Sequence, residues 1–73
     1  MKNKVIKVLA AGSQSEVLNS QCDIEEEHET VAEAKRRARY VLTEEYRRNC
    51  ESTSRLGYSQ VLVNGDVVAD YFA

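Results

Sequence analysis

Residues 58–72 read YSQVLVNGDVVADYF, two β-rich runs on either side of Asn64-Gly65. Val, Tyr and Phe favour strands, and Asn-Gly suits the positive φ angles of a type I′ turn, so this stretch predicts an antiparallel hairpin. Counting outward from a two-residue turn pairs Val63 with Asp66, Leu62 with Val67, Val61 with Val68, Gln60 with Ala69, Ser59 with Asp70 and Tyr58 with Tyr71. One face then carries Tyr58, Gln60, Leu62, Val67, Ala69 and Tyr71, and the other carries Ser59, Val61, Val63, Asp66, Val68, Asp70 and Phe72. The first has fewer polar intruders and is assigned to the core. A one-residue slip in the turn would exchange the two.

Upstream, residues 30–49 form the one long helical pattern. Thr30 is a good N-cap, Glu33 completes a capping-box spacing, and Glu25, Glu26, Glu27 and Glu29 place negative charge where the helix dipole favours it. At 100° per residue, Val31, Ala34, Ala38, Val41 and Leu42 fall on one stripe with Tyr46 at its edge. The central alanines let the helix approach a sheet closely, and Glu45 and Asn49 interrupt the stripe, so the last turns are expected to overhang the core.

Before the helix, Lys4 to Leu9 reads as a strand, Ala10 to Ser15 as a loop around Gly12, and Glu16 to Ile24 as a second strand with Leu18, Ser20, Cys22 and Ile24 on one side. The acidic run from Asp23 to Glu29 leads into the helix, and Glu51 to Gly57 is a connecting loop. The order β-β-α-β-β predicts an α+β two-layer fold, a four-stranded antiparallel sheet with one helix on one face. With 73 residues the chain is a single domain, of a size that buries only about 60% of its unfolded surface.

Composition narrows the function. The chain carries 42% hydrophobic and 30% charged residues and no long apolar run, so no membrane span is expected. Lys7 interrupts the apolar residues near the start, which read as a strand and not as a signal peptide; the protein is expected to be cytoplasmic, with Cys22 and Cys50 reduced. A net charge of −2 argues against nonspecific binding to nucleic acid by the whole surface. Three glycines, at 12, 57 and 65, form no phosphate loop, and the single histidine offers no catalytic triad, so no enzyme and no cofactor is predicted. The cluster Asp23, Glu25, Glu26, Glu27, His28 and Glu29 contains ligand types for a divalent ion without the spacing of a calcium loop or a zinc site, so no metal is expected.

Two binding hypotheses remain. One helix shields one face of the sheet, so the other, carrying Val61, Val63, Val68 and Phe72, is expected to meet a partner, most simply a second copy in a homodimer or another small protein. Each such side chain is worth about 1.5 to 3 kcal/mol when buried. The rival is a nucleic-acid surface built from Arg36, Arg39, Tyr40 and Arg47, in which an aromatic ring between guanidinium groups would stack bases and hold phosphate. Part of that charge is also expected to be consumed in pairs of i,i+4 type, Glu33 with Arg37 and Glu44 with Arg48.

Overall fold

The computed structural model describes residues 4–49 and 55–73. Cys50 and the loop residues 51–54 lie outside them. The elements run β1 (Ile6–Ala11), α1 (Gln14–Leu18), β2 (Ile24–His28), α2 (Val31–Tyr40), α3 (Glu44–Asn49), β3 (Tyr58–Val63) and β4 (Asp66–Phe72). The strands make a four-stranded sheet in the order β2-β1-β3-β4, every neighbouring pair antiparallel. The fold is α+β, as its sequence predicts.

Helix α2 lies across one face. Thr30 caps it, its Oγ1 accepting the Glu33 N–H at 3.1 Å, and the predicted stripe is the buried one. Ala34 and Ala38 are fully buried against Ile6, Val8 and Val61, with Val31, Val63, Ala69 and Tyr71 around them. Farther along, Val41 meets Ala10 and Leu56, flanked by Ile24, Leu42 and Tyr46. The helix does not run unbroken to Asn49. The Leu42 and Thr43 N–H groups donate to the carbonyls of Arg39 and Tyr40, three residues back, while Thr43 Oγ1 donates to the Tyr40 carbonyl at 2.7 Å and accepts the Tyr46 N–H at 3.2 Å. A threonine that satisfies the backbone on both sides closes α2 and caps α3.

The segment predicted as the second strand is instead α1 and its turn. Ser13 and Glu16 form a reciprocal capping box: Ser13 Oγ accepts the Glu16 N–H at 3.4 Å, and the Ser13 N–H donates to Glu16 Oε2 at 3.2 Å. At the far end Ser20 takes φ 62°, its N–H bonds the Val17 carbonyl and the Gln21 N–H bonds the Glu16 carbonyl. This closing motif normally has glycine where Ser20 stands. The true second strand begins at Ile24 and uses the acidic run: Ile24, Glu26 and His28 are half-buried on the α2 side, whereas Glu25 and Glu27 alternate outward.

The hairpin forms with Asn64 at φ 52° and Gly65 at φ 89°, both positive as a type I′ turn requires. Asn64 also anchors the start of the first strand, its Oδ1 accepting the Val5 N–H at 3.0 Å and its own N–H donating to the Val5 carbonyl. Val63 pairs with Asp66 and Leu62 with Val67, as expected; beyond them a bulge leaves Val68 as an extra residue, so Val61 pairs with Ala69, Gln60 with Asp70, Ser59 with Tyr71 and Tyr58 with Phe72.

The assignment of the β3 faces is reversed relative to expectation. Ser59, Val61 and Val63 lie under α2, and Tyr58, Gln60 and Leu62 lie on the other side. Ser59 is tolerated in the core because its Oγ donates to the Ala38 carbonyl at 2.7 Å, and its small volume lets the alanine stripe close on the sheet. The second face is partly clothed by the chain itself: Val17 of α1 is buried against Ala11 and Tyr58, with Leu9 and Cys22 beside them. Where the chain returns to this end of the sheet, a Cβ on Gly57 would sit 2.4 Å from the Gly12 carbonyl oxygen, so the two backbones touch there.

Candidate functional site

Two regions carry chemistry that the fold does not wholly consume. The first lies where β2 meets α2 and α3. Glu26 faces α2 from its strand, and Arg37 reaches it with both arms of the guanidinium, Nε to Oε1 at 3.0 Å and Nη2 to Oε2 at 2.9 Å. His28 Nε2 lies 3.1 Å from the same Oε1. The Arg37 hydrogen bonds, seconded by His28, hold the Glu26 carboxyl below its usual range against the opposing effect of burial. The guanidinium carbon also sits 5.7 Å from the centre of the Tyr40 ring and 5.2 Å from that of Tyr46, and the two rings meet edge to face at 5.6 Å. The Tyr40 hydroxyl accepts from Asn49 Nδ2 at 3.2 Å. These partners fasten β2, α2 and α3 together.

This geometry bears on the residues of the nucleic-acid reading. Arg36 and Arg39 are exposed on α2, and Arg36 borders an open depression with His28, Glu33, Arg37 and Tyr40. Arg39 stacks on Tyr71, 5.8 Å from its ring centre. Arg47 bonds Glu44 at 3.3 Å, and Glu44 also holds Arg55. Tyr40 is half-buried against Tyr46 with Arg37 over its ring, so it does not stand as an open platform between Arg36 and Arg47. Arg37, expected to pair with Glu33, makes its bidentate contact with Glu26 across the sheet edge.

The second region is the sheet face opposite α2. Of the four residues expected to form a contact surface, Val61 is fully buried beneath α2 and unavailable to a partner, and Val63 is half-buried against the same cluster on the α2 side. Val68 and Phe72 are 49% and 64% exposed. The Phe72 ring rests 5.0 Å from that of Tyr58 on the face away from α2. Val67, drawn outward by its pairing with Leu62, is 53% exposed, and Val5 is 43% exposed. With Leu9 and Leu62 at its floor, Val5 borders a trough of about 520 Å³ that Lys7 and Glu25 flank. Lys7, half-buried, pairs with the exposed Glu25 at 3.5 Å.

The polar groups of this face are satisfied internally. The Tyr58 hydroxyl donates to Gln60 Oε1 at 2.9 Å and lies 3.3 Å from Asp70 Oδ2. Burial and then the Asp70 charge raise its ionisation above the ordinary tyrosine value, so the phenol stays neutral. Burial, and then the charges of Glu25 and Asp23, raise the Cys22 thiol above its ordinary value and favour its protonated form. The acidic cluster of the sequence is divided between the two faces by strand alternation, and among the described residues no group of three His, Cys, Asp or Glu is placed to hold a metal ion. No described helix is long and apolar enough to cross a membrane.

Sequence reasoning missed Leu62 and Val67 as members of the second face, and it missed α1, which carries Leu18. The capping-box spacing from Ser13 to Glu16 was the available signal, since it turns residues 14–18 into a helix and moves Leu18 off the predicted strand. No protein-family model, curated protein or solved structure matches the chain.

Proposed function

We propose that the protein is a small non-catalytic interaction module that self-associates through the sheet face opposite α2. The observation that carries this reading is the exposure of Val5, Val67, Val68 and Phe72 on a sheet whose other face is closed. Covering such side chains is worth up to about 1.5 to 3 kcal/mol each, a large amount for a domain of this size. A second copy is favoured over extension of the sheet because both edges are defended. β2 presents Glu25, Glu26 and Glu27, whereas β4 carries a bulge together with Asp66 and Asp70. The working surface therefore comprises Val5, Leu62, Val67, Val68 and Phe72, in place of the set centred on Val61 and Val63.

The nucleic-acid reading has less support, since Arg37 and Tyr46 occupy Tyr40 and Glu44 engages Arg47. Sedimentation velocity over a concentration series tests the proposal. A weight-average mass rising from one chain toward two supports it; a single-chain mass throughout the series refutes it. A salt-sensitive gel shift with single-stranded RNA, abolished in Arg36→Glu/Arg39→Glu, would favour the rival instead.

A further inference from the structure

Asn64 is held twice by one residue. Its Oδ1 accepts the Val5 N–H at 3.0 Å and its own N–H donates to the Val5 carbonyl at 2.8 Å, so the residue just ahead of β1 fixes both the carboxamide and the backbone of Asn64. An asparagine followed by glycine is also chemically labile, because no side chain shields the glycine nitrogen from the neighbouring carboxamide. Gly65 is exposed, with no atom beyond its chain neighbours within 4 Å of the place a Cβ would take. Its N–H has no hydrogen-bond partner among the described residues. Asn19-Ser20 makes the contrast: there the nitrogen that would attack is shielded by a side chain and bonded to the Val17 carbonyl at 3.1 Å.

We propose that Asn64 is a site of spontaneous deamidation and that Val5 is its guard. In the reaction the Gly65 nitrogen forms a bond to Asn64 Cγ, the Cγ–Nδ2 bond breaks, and ammonia leaves with the Gly65 amide proton. Water then opens the resulting succinimide at either carbonyl, giving aspartate or isoaspartate. The ring takes in Cα, Cβ, Cγ and the carbonyl carbon of Asn64 together with the Gly65 nitrogen, so side chain and backbone must both turn before it closes. The two bonds to Val5 oppose that turn. Release of Val5 therefore governs the rate in the folded chain. The two products differ in what they keep. Aspartate still offers an oxygen to the Val5 N–H, whereas isoaspartate routes the chain through the side chain, adds a carbon to a two-residue turn and loses the tie. Either one adds negative charge at the rim of the trough that Val5, Leu62 and Gly65 border.

Incubation of the full chain at mildly alkaline pH, with peptide mapping that separates the asparaginyl, aspartyl and isoaspartyl forms, tests this. The samples are native wild type, wild type in guanidinium chloride, and native Val5→Pro, which lacks the donor; circular dichroism checks folding. The expected result is modification at Asn64 ahead of Asn19, slower in the native than in the denatured wild type, and at least about threefold faster in Val5→Pro than in the native wild type. Equal rates in native and denatured wild type, or a folded Val5→Pro no faster than the wild type, overturn the guard. An Asn64 that stays intact even in the denatured chain overturns the site itself. Should Val5→Pro fail to fold, a synthetic chain with an ester in place of the Lys4–Val5 amide removes the same donor without the proline ring and is read in the same way.

Discussion

The two faces of this sheet contain similar numbers of apolar side chains and meet different fates. Under α2, Ala34, Ala38, Ala10 and Ser59 let a ten-residue helix settle close to the strands, and Val8 and Val61 lose all contact with water. On the other side a five-residue helix covers one end, while Val5, Val67, Val68 and Phe72 keep roughly half of their surface in solvent. Helix length and the presence of small residues, more than the hydrophobicity of the strands, decide which face becomes core.

That contrast breaks most visibly with a charge placed on each face. Val61→Asp buries an unpaired carboxylate and is expected to cost more than about 4 kcal/mol, enough to unfold the domain, whereas Val67→Asp on the half-open face should cost the single chain no more than about 1 kcal/mol. Urea denaturation of the two variants compares them directly, and similar costs would mean the faces are misassigned. Next in size, Ala38→Phe drives a ring between α2 and the sheet and should destabilise by about 1 to 3 kcal/mol through overpacking. The melting temperature reads the effect.

A smaller effect is expected where the α2 face reaches the edge of the sheet. The Glu26 carboxyl is held below its usual range in the folded chain, so the stability it adds is fully present above its unfolded value, about 4.3, and is lost as pH falls through the lower folded value. Glu26→Gln should therefore cost on the order of 1 kcal/mol at neutral pH and flatten the acid limb of the stability profile. Thermal melts between neutral and acid pH measure both. On the other face, Ser20 occupies the left-handed region at φ 62°, and Ser20→Gly should stabilise α1 by up to about 1 kcal/mol. The same melts detect the gain.

The hairpin, the cap at Thr30 and the buried stripe of α2 were legible because each rests on local chemistry: Asn-Gly for the turn, a threonine hydroxyl for the first N–H groups, and a spacing that repeats every three to four residues. The acidic strand β2 was hidden because alternation there is written in glutamates, and burial of one of them, Glu26, is made tolerable by Arg37, eleven residues onward, together with His28. The reversal of β3 has a similar origin. Ser59 counts against a core face until the Ala38 carbonyl is known to accept its hydroxyl, and Gln60 counts equally until Tyr58 is seen to donate to it. The bulge at Val68 leaves no mark in the sequence, since valine precedes and follows the shift alike. Of the four residues assigned to the outer face, Val68 and Phe72 do lie opposite α2, and Val61 and Val63 lie under it because the β3 faces are reversed.

Methyl NMR of the wild type across a dilution series reaches the central claim most directly, because it reports both faces at once. The account predicts concentration-dependent shifts at Val5, Leu62, Val67 and Val68, with the methyls of Val8 and Val61 unmoved. Spectra that superimpose at every concentration, or shifts confined to the residues beneath α2, would contradict it.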